Sequence, residues 1–490
     1  MAEQQTPGGK RLSGSLTLVD AIAQSVGFIG PVFSMAFLVP LLVGVNASGR
    51  GAGVAAPLSV LIAAVGVLGL GWIIAQYAKR IHAAGSLYDY VSDGLGSRIG
   101  TASGILYYCG ILALDAAILV MIGGTIHDTL QSEFGVTPLP AAGWDVILLA
   151  LLAVVLYAGV ALSTRAQLVL ALVSFLAVLV FLLTVIARAG QASDTVRTFT
   201  PSGSPTGLSG VLFGVLYGVL LFTGFETAAN LGEETARPTR DIPRAVLISV
   251  LAVAGFYVIG SYGQVAGYHF SLGLLAKNSG APLFGLAGPS AGGGFGSVAI
   301  RRLLELVVVL DMMAVMIGAG VSAARGLFAL GRDGRLPRGL GRQSRRGTPV
   351  VASTAVLAVC LVVIVVTWLW NGFVAEPGTP HYVAVFGWLA AFGGFALAII
   401  YLLMAVGSLR GLRGRRRMWP VYLAALAGGA VTVGAIAGSV YKVTAPTIYA
   451  PYAVIAIFAV ALVVSFSRRE VRPPGSASGS SAVRKAGTVP

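Results

Sequence analysis

The chain has 490 residues, 56% of them hydrophobic and 10% charged, with a mean hydropathy of +0.87. These values exclude a soluble fold clothed in polar surface and fit a polytopic membrane protein. The net charge of +15 is spread over short loops between apolar runs, the pattern of basic loops held on one side of a membrane, so no nucleic-acid partner is expected.

The first residues are polar, and the apolar stretch behind them is far longer than a signal-peptide core, so 1–16 is expected to be an uncleaved cytoplasmic tail. Ala21 to Val45 is 25 residues without a charge, long enough to span a bilayer, yet Gly27, Gly30 and Pro31 stand in its middle. Proline supplies no backbone N–H and disfavours helix at the residue before it, and glycine resists unwinding little. Backbone groups freed in hydrocarbon cost several kcal/mol each unless protein, water or solute satisfies them. The break is either a packing kink or one wall of a solute site.

Further apolar runs follow, giving spans at 17–45, 53–77, 99–124, 142–162, 165–188, 208–231, 243–267, 299–331, 348–371, 382–406, 418–440 and 448–467. With the amino terminus inside, all but seven of the 33 Lys and Arg fall on the cytoplasmic side, the exceptions being Arg50, Arg188, Arg197, Lys277, Arg301, Arg302 and Lys442. Both termini are therefore expected in the cytoplasm and the protein in the plasma membrane. The run Arg410, Arg413, Arg415, Arg416 and Arg417 reads as a topology determinant or a contact for anionic membrane lipid. Residues 468–490 read as a disordered basic tail. The two cysteines, Cys109 and Cys360, lie inside apolar segments and support neither a disulfide framework nor a metal site. No phosphate-binding loop, no nucleophile and base constellation and no H-E-x-x-H is present, so neither ATP-driven transport nor an enzyme is expected, and no cofactor.

The sixth span repeats the anomaly of the first, with Gly214 and Gly218 leading to Phe222-Thr-Gly224-Phe225-Glu226, a carboxylate beside a glycine inside an apolar run. Two broken segments in corresponding positions point to an inverted repeat, 17–188 and 208–406, with 418–467 added.

Three loops then carry a resemblance. After span 2 stands Arg80-Ile-His82-Ala-Ala-Gly85-Ser86-Leu-Tyr88-Asp-Tyr90; after span 6, Glu233-Glu234 with Pro238-Thr-Arg240-Asp-Ile242-Pro243-Arg-Ala245; after span 8, Arg325-Gly-Leu-Phe328-Ala-Leu-Gly-Arg332-Asp333-Gly334-Arg-Leu336-Pro337, then Thr348-Pro349. In these the chain resembles the amino acid, polyamine and organocation superfamily of secondary transporters. The resemblance implies an all-α, twelve-helix, five-plus-five inverted repeat of LeuT-like fold with discontinuous helices 1 and 6, working by alternating access. It departs from the family at the first break, where Ile29-Gly30-Pro31-Val32-Phe33 stands in place of G-S-G-I-F. Because Pro31 has no N–H, amides for a substrate carboxylate would come from Val32, Phe33 or Ser34.

The substrate site is accordingly expected at Gly27, Phe28, Ile29, Gly30, Pro31 and Val32 of span 1 and Phe222, Gly224, Phe225 and Glu226 of span 6. The N–H end after Pro31 suits a carboxylate and the carbonyl end before Gly224 an ammonium. Phe222 and Phe225 either cover the solute or pack. Glu226 matches the family's acid at this break and serves binding, gating or proton coupling, or else holds the unwound backbone. Asp115 and Asp311 are further intramembrane acids; close together they would share a proton or a cation, and apart they would line a wet vestibule. Ser174 stands where some members place a lysine, leaving room for sodium or for no coupling ion. Tyr107 and Tyr108 are cavity or packing residues. The expected function is a permease for an amino acid or related amine, by proton symport or exchange; the alternatives are an inorganic cation transporter using Asp115, Asp311 and Glu226, and a nontransporting sensor or subunit.

Overall fold

The computed structural model describes residues 15–44, 51–81, 83, 85–189, 194–277, 281–289, 294–344, 347–370, 372–373, 380–414, 417–441, 443 and 445–467. His82, Arg415, Arg416, Lys442 and the tail 468–490 lie outside these. Among the described residues, 11 helices are long and apolar enough to cross a membrane: Leu18–Val43, Gly53–Ala78, Ser97–Phe134, Ala141–Ala158, Thr164–Ala189, Pro238–Gly267, Val298–Arg332, Val350–Leu369, His381–Gly411, Trp419–Val440 and Tyr449–Ser467. The remaining crossing, span 6, is split into Leu208–Leu221 and a 3-10 segment Thr227–Leu231. The expected order of spans is reproduced. Span 3 runs further than expected, to Phe134, because its last turns are polar and are tied down by Glu133, which pairs with Arg301 and Arg302 at 2.9 and 3.0 Å.

Span 1 begins with a capping box. The Thr17 amide donates to Asp20 Oδ2 at 2.9 Å and the Asp20 amide to Thr17 Oγ1 at 3.4 Å. Its first half ends at Gly30, whose left-handed conformation (φ 59°) closes the turn onto Val26 O. Pro31 opens the second half, where a missing N–H costs least. That half passes through a π turn, Ser34–Leu38, and Gln264 Nε2 donates to Met35 O at 2.8 Å.

Spans 1, 3, 6, 8 and 10 form the inner layer, and spans 2 and 7 pack together beside it. Spans 5, 11 and 12 turn apolar faces outward. Leu172, Leu176, Val180 and Leu183 follow one another down one side of span 5, all about half exposed, as a lipid-facing stripe requires. Both described chain ends lie on one face. There Leu16 bridges to the loop after span 6, its amide donating to Glu234 O at 2.8 Å and its carbonyl accepting from Ala236, and Arg98 caps the Phe466 ring near the end of span 12.

Candidate functional site

The two breaks satisfy each other. Ser25 Oγ donates to Phe225 O at 2.8 Å and accepts from the Ala228 amide at 3.1 Å, while Thr227 Oγ1 reaches Gln24 O and its own Gly224 O. Gly224 allows the approach, since with φ at 108° a Cβ there would lie 3.0 to 3.1 Å from the Phe28 ring, the Phe28 carbonyl carbon and the Ile29 amide. Gly27 packs just as closely on Gln167 of span 5. The carbonyls freed at the end of span 6 also have donors: Tyr257 reaches Leu221 O at 2.7 Å, and the Phe225 amide reaches Phe222 O.

Glu226 is fully buried and accepts three hydrogen bonds, from Tyr107 Oη at 3.0 Å on Oε1 and from Tyr401 Oη at 2.8 Å and the Gly224 amide at 3.2 Å on Oε2. A carboxylate is the one side chain of this size that accepts from all three. It therefore ties the span 6 break to spans 3 and 10. Tyr108 turns away to Gly85 O.

Asp311 of span 8 is equally buried, and its Oδ2 accepts from the Val32 amide at 3.0 Å and the Phe33 amide at 2.8 Å. These are the first two donors after Pro31. The Ser34 amide is spent on Gly30 O, so the exposed N–H end of the second half of span 1 is occupied by a carboxylate of the protein itself.

Beside the breaks lies a cavity of about 450 Å³, within the ~300 to 1,000 Å³ typical of small-molecule sites. Phe28 and Ile29 line it, with Phe33, Val315, Phe386, Phe395, Thr223 and Tyr401. It extends past Leu38 and Leu41 to Gly438 and Thr447, towards the face opposite the chain ends. Of the other expected residues, Gly27, Gly30, Pro31, Val32, Phe222, Gly224, Phe225 and Glu226 stand behind this wall, with Glu226 touching it through Tyr401 and the Phe222 ring meeting Tyr257 edge-on at 5.3 Å. The expected list lacked span 10. Its signal was the recurrence of Phe386, Ala390, Gly394 and Ala398 every four residues, one face of a helix kept small behind an aromatic.

Asp115 and Asp311 have separate partners. Asp115 Oδ2 receives the Cys360 thiol at 3.7 Å and lies opposite Gly320, nine residues beyond Asp311 on span 8, or ~14 Å along the axis. Ser174 Oγ bonds back to Leu170 O. Among the described residues, no three of His, Cys, Asp and Glu come together as a metal would need.

At the face of the chain ends the three motif loops meet. Arg325 of span 8 holds Glu234 through Nε and Nη2 at 2.7 and 3.3 Å, and Arg332 grips Glu233 in the same forked way at 2.7 and 2.8 Å. Tyr88 donates to Asp333 at 2.8 Å beneath the Arg335 guanidinium, which stands 4.0 Å from Asp89. Burial pushes the Asp89 carboxyl up to about 7; Arg335 and Arg332 oppose this, and Asp333 and Glu233 reinforce it.

A family model described as amino acid permease matches residues 16–476. The branched-chain amino acid permease BcaP of Lactococcus lactis is 23% identical over 380 residues, covering 72% of this chain and 76% of that protein. Its namesake in Bacillus subtilis is 24% identical over 377 residues, covering 71% and 74%. Cationic amino acid transporter 3 of Arabidopsis thaliana, described as mitochondrial, is 27% identical over 375 residues, covering 72% of this chain and 58% of its own length. Among solved structures, a mutant of the Eremococcus coleocola manganese transporter superposes with a TM-score of 0.52 at 14% identity, covering 92% of this chain and 93% of that one, a likeness of fold.

Proposed function

Because the chain belongs to the amino acid permease family, and is thereby a multi-pass secondary transporter for amino acids, we propose that it carries an amino acid or related amine across the plasma membrane by alternating access through the cavity beside the two breaks. The observation that carries this is the mutual hydrogen bonding of the broken spans next to an apolar cavity. The breaks survive in hydrocarbon because each half-helix end has a protein partner, and the solute is met in the cavity beside them.

With the termini in the cytoplasm, the cavity runs outward and the Arg325–Glu234 and Arg332–Glu233 pairs close the inner side, so the conformation faces outward. Phe28 and Phe33 cover the apolar part of the solute. Glu226 fixes the span 6 break in place. Transport is driven by a proton gradient, a sodium gradient or an exchanged solute, and among the described residues Asp115, Asp311 and Glu226 do not converge into the ligand cluster that an inorganic cation substrate would need. The test is uptake by purified protein in liposomes, screening labelled amino acids and amines with a pH gradient, a sodium gradient or internal solute. Saturable uptake stimulated by a proton gradient or by internal amine is expected. Robust inorganic cation flux with none of any organic solute would overturn the reading.

A further inference from the structure

The donors suited to a substrate carboxylate are already taken. Val32 and Phe33 give their amides to Asp311 Oδ2, at the left-handed turn of Gly30, where a Cβ would lie 3.4 Å from the same oxygen. Phe33 itself lines the cavity, and so does Val315, one turn along span 8 from Asp311. Asp311 itself is fully buried and stands beside Phe33 and Val315 rather than in the lining; its other oxygen, Oδ1, has no hydrogen-bond partner, and a buried carboxyl leaves its lone pairs unused only at a cost. Among the described residues, no Lys, Arg or His lines the cavity to receive a second anion.

An α-amino acid entering here must either displace Asp311 from its two backbone hydrogen bonds or place its own carboxylate against it, with no cation among the described lining residues to separate them. An ammonium has the opposite fate. Passing between Phe33 and Val315 it reaches the unused Oδ1 and pairs with the buried acid, with the rings of Phe28, Phe33 and Phe386 lining the cavity around its apolar part. We propose that Asp311 stands in for the substrate carboxylate, so that the cavity takes apolar primary amines lacking an α-carboxylate, held by their ammonium at Asp311. This rests on the reading of the cavity as the transport site.

The test uses matched pairs that differ only in the carboxylate: 2-phenylethylamine against L-phenylalanine, and 3-methylbutylamine against L-leucine. Each is measured by uptake into liposomes and by thermal shift of the purified protein. Wild-type protein is expected to favour the amine over its amino acid by at least tenfold. Asp311→Ala, by freeing the Val32 and Phe33 amides, is expected to weaken amine binding at least tenfold and to improve binding of the amino acid. If that variant does not fold, Asp311→Asn, which keeps an acceptor for the amides but loses the charge, is expected to lose amine binding alone. Preference of the wild type for the amino acid, whatever the variants do, would overturn the inference and leave the permease reading standing. Uptake of neither member of either pair by monodisperse protein, with other amino acids carried normally, would overturn it equally, whereas failure of every organic solute would take the permease reading with it.

Discussion

Single side chains decide this site by the number of bonds each can accept. Glu226 receives three donors from three parts of the chain. Glu226→Gln keeps one good acceptor and adds an NH₂ from which a tyrosine hydroxyl can accept but the Gly224 amide cannot, so at most one oxygen is left to serve the donors; Glu226→Ala strands all three. The expected order of thermal stability is wild type, then Gln, then Ala, the first step costing about 1 to 3 kcal/mol, read from denaturation in detergent. Equal midpoints for all three proteins would show that the donors find other partners. Asp89 carries a different kind of prediction. Its carboxyl is raised from an ordinary 3.8 to about 7, so between those values the folded protein holds a proton that the unfolded chain has released. Stability then falls as pH rises through that window and levels off above it. Asp89→Asn removes the titrating group, and a melting profile from pH 4 to 8 is expected to be flatter in the variant than in the wild type.

At the scale of the helix, the breaks depend on glycine at two positions. Gly224→Ala meets both a positive φ, which costs an L residue ~1 to 2 kcal/mol, and a Cβ at 3.0 Å from the Phe28 ring and 3.1 Å from the Ile29 amide, with overpacking worth ~1 to 3 kcal/mol more. The breaks would have to separate, so uptake is expected to fall at least tenfold with the helix content unchanged by circular dichroism. The same contact marks what a sequence reading reaches. Proline and glycine in an uncharged run are local facts, and from them the break in span 1, the matching break in span 6 and the order of the spans were legible, though not the polar last turns of span 3, which run on to Phe134. The partners were not. Asp311 lies 278 residues from Phe33, Tyr401 lies 175 from Glu226, and which face of spans 8 and 10 turns inward is set by packing angles that a uniformly apolar helix does not encode. Uniform apolarity hid the cavity wall for the same reason, since lipid-facing and core-facing residues of a membrane span are alike in hydropathy.

Across the whole molecule, one side is bolted and the other is hollow. The cavity runs from the breaks towards Thr447, while at the opposite face two forked arginine–glutamate pairs tie span 8 to the loop after span 6, and the Leu16 bridge adds the residue just before span 1 to the same loop. The Arg325–Glu234 pair is the inner of the two bolts, with both side chains about 95% buried. Such a pair adds little net stability when intact, because its desolvation offsets most of its attraction, but removing one member strands a buried charge at ~3 to 5 kcal/mol. Alternating access must expose that charge to water, so Arg325→Leu removes the attraction only from the closed form and leaves the open form, where Glu234 is hydrated, almost untouched. A few kcal/mol of this kind is enough to invert a two-state population. The shift is readable at Ser322, one turn from Arg325 and bonded to Asn230, using a Ser322→Cys variant in which Cys109 and Cys360 are replaced by alanine. In inside-out vesicles, an impermeant maleimide is expected to label this thiol at least tenfold faster when Arg325→Leu is added. Combining Arg325→Glu with Glu234→Arg is expected to restore part of the protection. Labelling that is equally slow in all three proteins would mean that the closure is held by packing and that the ion pair only decorates it.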